Sequence, residues 1–287
     1  MKPRRALLAV TTLGLVACGG FSGGAIVPPP VATPTAALAP WATFPAQQVP
    51  RPVVLVANLS PEGGFANDGS KIAALCHRFT AAITFPTDSP RTTNVSWSTG
   101  MKGTYPSISA AAALTAMTQP GPGTSESYCK TAGPIVFTAV RFHPYRFITD
   151  RGSAQIDSWL FTTTTFSGEM AYPALAAPTI WNADLSKQSG DRSLISADGL
   201  TLTFGFVGAD GTGPCGVAYK PVPAESATAV AVAVQAGTLP AKCNGPSDAV
   251  GHSRTVAVAL ASPLGGRVVL DASGNFAPVC PVSKPDC

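Results

Sequence analysis

Leu200-Thr201-Leu202-Thr203-Phe204-Gly205-Phe206-Val207 decides the fold class. Leu200, Leu202, Phe204 and Phe206 recur at every second position, with Thr201, Thr203 and Gly205 between them. Side chains alternate faces along an extended backbone, so this period marks a half-buried strand. The same pattern returns in Val230, Val232 and Val234, which alternate with alanines, and in Val256, Val258 and Leu260. Residues 267–270 give a shorter strand. Toward the N-terminus the expected strands are residues 53–57, 79–85, 135–142 and 158–166. Turn chemistry separates them at Ala197-Asp198-Gly199, Ala209-Asp210-Gly211 and Ala272-Ser273-Gly274-Asn275. We therefore expect a mainly β fold, an antiparallel sandwich or partly open barrel with one or two short helices. The helical candidates are residues 109–117 (SAAAALTAM) and 70–78 (SKIAALCHR), with Ser109 and Ser70 as caps.

Residues 19–52 contrast with this pattern. They contain eight prolines and a single charge, Arg51. No helical or alternating period survives that proline density, so an extended linker is expected. Trp41 and Phe44 are read as incidental to it. The β-rich region is expected over 53–287, as one domain or as two modules split near 173–190.

The first 17 residues are of another kind. Lys2, Arg4 and Arg5 precede an apolar run from Ala6 to Ala17. That run is too short for a membrane span of ~20 helical residues and reads as the core of a signal peptide. Leu15-Val16-Ala17-Cys18, followed by Gly19-Gly20, resembles the lipobox of bacterial lipoproteins. The resemblance covers the first 20 residues of the chain. It implies cleavage before Cys18, acylation of that cysteine (palmitate among the fatty acids), and residence on the extracytoplasmic face of the cell membrane. Residues 18–52 are then the lipidated cysteine and its tether. Several acyl chains hold stably at ~0.8 kcal/mol per buried CH₂.

Two counts change once residues 1–17 are set aside. The formal charge of the whole chain is +4, but three of its 19 Lys and Arg lie in that segment. The remaining 16 face 15 Asp and Glu, a balance of +1. There is no basic stripe with interleaved aromatics, so a nucleic-acid partner is not expected. The seven cysteines are 18, 76, 129, 215, 243, 280 and 287. Without Cys18 six remain, and an oxidising compartment permits three disulfides among them. Six cysteines allow 15 pairings. We prefer the sequential set Cys76–Cys129, Cys215–Cys243 and Cys280–Cys287. No CxxC pair occurs, so no metal site is expected.

The later part of the chain carries a second resemblance. Cys215, Tyr219, Cys243, Arg254-Thr255-Val256 and Pro263-Leu264-Gly265-Gly266-Arg267-Val268-Val269-Leu270-Asp271 are similar to uncharacterised lipoproteins and secreted proteins of actinobacteria. Thr149-Asp150-Arg151-Gly152 with Asp157-Ser158-Trp159-Leu160-Phe161 resembles a phrase of the same group. The resemblance implies an extracytoplasmic β-rich domain and carries no activity.

Candidate chemistry is sparse. Arg141 and His143 sit in an aromatic and basic cluster, Arg141-Phe142-His143-Pro144-Tyr145-Arg146. Asp157 lies two residues before Trp159, whose ring is suited to stacking on a sugar. These four are the ligand-site candidates, and Asp150 with Asp157 is the nearest pair of acids for glycoside cleavage. The favoured reading is a non-enzymatic binding or structural protein of the envelope. It meets the membrane through lipid on Cys18, and a cell-wall component or exported protein is its expected partner. Cofactors are not expected. The alternatives are a lipid-anchored hydrolase of wall or glycan material, and the substrate-binding lipoprotein of an importer.

Overall fold

A computed structural model describes residues 33–56, 59–61, 64–65, 67–119, 127–165, 168–181, 192–212, 215–238, 240, 243 and 251–287. Cys18 and the lipobox lie outside the described residues, as does the second half of the expected module seam (182–190). Ala32–Cys287 forms one compact unit.

The helices are α1 (Thr35–Leu38), α2 (Asp68–Leu75) and α3 (Ala110–Met117). The first strands are β1 (Ser60–Pro61), β2 (Phe79–Ala81), β3 (Thr92–Trp97), β4 (Lys102–Pro106), β5 (Ile135–Thr149), β6 (Gly152–Thr163) and β7 (Glu169–Pro173). They form one sheet in the order β1-β7-β6-β3-β4, with β5 on the other edge of β6 and β2 parallel to the start of β5. The later strands are β8 (Ser193–Ile195), β9 (Thr201–Gly208), β10 (Tyr219–Glu225), β11 (Ala229–Ala236), β12 (His252–Ala259), β13 (Val268–Asp271) and β14 (Val279–Pro281). They make a three-stranded sheet, β10-β11-β13, and a four-stranded one, β12-β9-β8-β14. The molecule is mainly β, as its alternation predicts. It is not purely antiparallel: β2 with β5, β11 with β13 and β14 with β8 run parallel.

Both faces of the first sheet are buried. On one, Ala73 and Ala74 of α2 and Ala110, Ala113 and Met117 of α3 pack on Ile135, Phe137 and Phe161. On the other, Ile156 and Leu160 meet Val53, Leu55, Val95 and Phe147. Ser109 caps α3 as expected, its Oγ accepting from the Ala112 amide. The start of α2 is a correction. Asn67, not Ser70, is its N-cap, and Ser70 completes a capping box from the third helical position.

The two later sheets form a small sandwich. Leu202, Phe204, Val256 and Val258 face Val230, Val232 and Val269 across it. The alanines of β11 do not face water. Ala229 and Ala231 are buried against Trp41, Phe44 and Ala37. This overturns the reading of residues 33–52 as free linker and of Trp41 and Phe44 as incidental. Trp41 is 2% exposed and Phe44 1%. Trp41 stacks on Trp181 at 6.3 Å, and Phe44 meets the same ring edge-on at 5.2 Å. Residues 33–56 are a strap laid over the three-stranded sheet. Residues 53–57, expected as a strand, contribute only isolated bridges in their described part, from Val53 to Ile180 and Leu55 to Thr149. The expected strand 79–85 shrinks to β2.

The preferred pairing of cysteines is present: Cys76–Cys129, Cys215–Cys243 and Cys280–Cys287. The last pins the end of the chain against the β5–β6 turn. The Cys287 carbonyl oxygen accepts from the Ser153 amide, the Ser153 hydroxyl and the Ser98 hydroxyl.

Candidate functional site

The four ligand-site candidates do not converge. Residues directly opposite in an antiparallel pair share a face. His143 is opposite Ser158 and Arg141 opposite Leu160, whereas Pro144 is opposite Asp157 and Phe142 opposite Trp159. His143 and Arg141 therefore lie on one face of the β5–β6 ribbon, and Asp157 and Trp159 on the other. Trp159 is a core side chain, 7% exposed, with its indole N–H given to the Ile108 carbonyl. Asp157 accepts from the amide and side chain of Asn94. Arg141 pairs with Glu169. Asp150 and Asp157 serve different neighbours, so they are not a pair of facing acids.

Polar chemistry gathers instead at the β5–β6 turn. Asp150 is 2% exposed. Nη2 of Arg51, from the strap, donates to both of its carboxylate oxygens at 2.7 and 2.6 Å. Nε of Arg151 stands 3.6 Å from the same carboxylate. Arg151 also donates to the carbonyls of Gly265 and Arg267, and Arg51 to that of Gly266. Each charge here has partners, as burial demands. Burial pushes the Arg151 guanidinium down to about 10, and Arg51 beside it acts in the same sense, partly offset by Asp150. It stays charged at neutral pH. The turn thus joins three parts of the molecule: the strap, the first sheet and the loop before β13.

Over this joint lies an open cleft of about 310 Å³. Arg51 and Arg151 line it from below, Trp97, Met101, Lys102 and Tyr105 line it from the β3–β4 hairpin, and the strap closes the remaining wall. Both rings are held by their polar ends. The Trp97 indole N–H donates to the Thr149 hydroxyl, and the Tyr105 hydroxyl to the Arg51 carbonyl. Burial raises the Tyr105 pKa, against Arg51, which lowers it, and with Asp150, which also raises it. Gly103 leaves room for the Tyr105 ring, since a Cβ there would run into it. The cleft therefore offers two fixed rings, two guanidinium groups and the exposed Lys102 ammonium against one carboxylate.

Its ingredients were visible in the sequence one at a time. Arg51 is the lone charge of a proline-rich segment, and Asp150-Arg151 is an adjacent pair at a turn. Nothing local says that they meet. Among the described residues, no group of His, Cys, Asp and Glu is arranged to hold a metal ion. No described helix is long and apolar enough to cross a membrane. Comparison with family models, with curated proteins and with solved structures found no match to this chain.

Proposed function

We propose that the chain is a lipid-anchored binding protein of the bacterial envelope, held through Cys18 on the extracytoplasmic face of the cell membrane, with the Arg51–Arg151 cleft as its ligand surface. The observation that carries the anchoring is a division among the cysteines. Six are consumed by three disulfides, which suits an oxidising compartment. The seventh, Cys18, stands alone at the lipobox. The binding role rests on the cleft, whose two rings and two guanidinium groups are fixed in place by hydrogen bonds.

Cys18→Ala tests the anchor. In cells fed radiolabelled palmitate, the natural chain is expected to carry label and to sediment with membranes. The variant is expected to lose the label and to accumulate as precursor or in the soluble fraction. Label retained by the variant would show that the lipobox reading is wrong.

A further inference from the structure

We infer that the cleft takes a small carboxylate borne on a six-membered ring. The inference rests on the reading of this cleft as the ligand surface. It starts from charge. Arg51, Arg151 and Lys102 bring three positive charges, and the buried Asp150 returns one negative charge. An anion entering the cleft meets net positive potential within a wall of low polarisability, where charge interactions are stronger than in water.

The second step is hydrogen bonding. A guanidinium has five N–H donors. Arg51 makes three of the described bonds; Arg151 makes two and turns its Nε to Asp150 at 3.6 Å, so two donors on each guanidinium remain without a described acceptor. A planar oxyanion suits such forks, and bonds of this charged kind are about twice as strong as neutral ones. Asp150 and the three carbonyl oxygens already hold both arginines in position. A ligand therefore has little side-chain freedom left to freeze at this end, which favours binding.

The third step is shape. Trp97 and Tyr105 line the same space, and neither ring is free to turn away, because each is hydrogen-bonded at its polar end. Met101 adds a pliable apolar side chain, 47% exposed at the rim. A space of about 310 Å³ is at the small end for ligand sites, enough for one ring with its substituents. One end of the cleft is built for an oxyanion and its flank for a ring. A sugar acid and an aromatic acid both satisfy this chemistry.

Titration calorimetry on the full chain in detergent at low salt separates the possibilities. The probes are sodium glucuronate, sodium benzoate, glucose and inorganic phosphate. Saturable binding of glucuronate or benzoate is expected, with glucose and phosphate at least ~10-fold weaker, because the first lacks the charge and the second the ring. The stronger of the two carboxylates says whether the ring is a sugar or an arene. Lys102→Glu reverses an exposed charge with no described hydrogen bond, so folding is not at stake. It is expected to weaken carboxylate binding ~10-fold or more, whereas Lys220→Glu, the same charge change on β10, leaves it within ~2-fold. Trp97→Leu is expected to weaken it roughly 2- to 10-fold through loss of the ring. Phosphate or glucose binding as tightly as the carboxylates, with the same sensitivity to Trp97→Leu, overturns the ligand class and leaves the cleft as the binding surface. Carboxylate binding indifferent to both Lys102→Glu and Trp97→Leu places the ligand elsewhere and overturns both. Absence of binding by all four probes overturns the ring-carboxylate inference, while palmitate labelling of Cys18 judges the anchoring independently.

Discussion

Gly266 shows how one position ties strap to body. A Cβ there would overlap the Ala46 carbonyl oxygen, which is backbone and has nowhere to go. Gly266→Ala is expected to lift the strap, at a cost of about 1–3 kcal/mol, the usual range for overpacking. Urea unfolding would show it as a lower midpoint, and limited proteolysis as new cuts within residues 33–52. Glu225 makes a different point. Its carboxylate accepts from the Ala261 amide and from Arg267, which is 5% exposed. Burial pushes the carboxyl up, but these hydrogen bonds outweigh it and hold the pKa below the ordinary value. A carboxyl depressed in the folded chain stabilises above its unfolded pKa, and the contribution is lost as pH falls through the folded value. Glu225→Gln is therefore expected to cost roughly 2 kcal/mol at neutral pH. That gap from the natural chain should persist to about pH 5, shrink below about 4.3, the unperturbed value, and vanish in stronger acid. Midpoints of urea unfolding measured from pH 7 to pH 3 check it (on the scale of those reference values). A gap that stays constant down to the acid end would show that the carboxylate charge is not what Arg267 uses.

Elements were legible where both their period and their neighbours are local. β9 reads directly from its sequence because one face is sandwich core and the other carries Thr201, Thr203, Gly205 and the exposed Val207. β10 is hidden by Pro221 and Pro223. Both are tolerated because β10 pairs with β11 alone in its sheet and is an edge strand, where a missing N–H leaves no ladder bond broken. β11 misleads in the opposite way. Its alanines look like a solvent face, yet Ala229 and Ala231 are fully buried. They are small because Trp41 and Phe44 lie against them. The start of α2 is ambiguous in the sequence for a local reason: Asn67 and Ser70 are both good caps, and the capping box uses both. The Cys76–Cys129 bridge spans 53 residues and links the end of α2 to the segment before β5. By chain entropy, replacing both cysteines with alanine is expected to cost about 4 kcal/mol. The Cys280–Cys287 loop of 7 residues gives about 2.5 kcal/mol on the same scale. Paired-alanine variants followed by urea unfolding rank the two. The reverse order would mean that the terminal bridge acts through the contacts of Cys287 with Ser98 and Ser153, not through its loop.

The largest departure from expectation is at the scale of the whole chain. Proline density predicts an extended segment over residues 19–52, and it correctly discourages long helices or paired strands. It does not say whether an extended segment is free or docked, because docking depends on partners far along the chain. Here the partners are Trp181, the alanine face of β11, Gly266 and Asp150. The strap acts on both halves of the body. It covers Val268, Leu270 and Phe276 beside the sandwich, and through Val53 and Leu55 it enters the core of the first sheet. It also supplies Arg51, without which the Asp150 carboxylate keeps, among the described residues, only the longer contact to Arg151. Trp41→Ala alone is expected to destabilise by about 3–5 kcal/mol. Removing the strap is expected to do more, since a buried charge loses its main partner and a sheet face meets water together. Two truncations test where the folded body begins. A chain starting at residue 33 is expected to unfold at the same urea concentration as one starting at residue 19, because the described packing contacts begin within the strap. A chain starting at residue 53 is expected to unfold at much lower urea, bind a hydrophobic dye, and lose the cleft. Equal midpoints for all three chains would return residues 33–52 to the role of tether and remove one wall from the site.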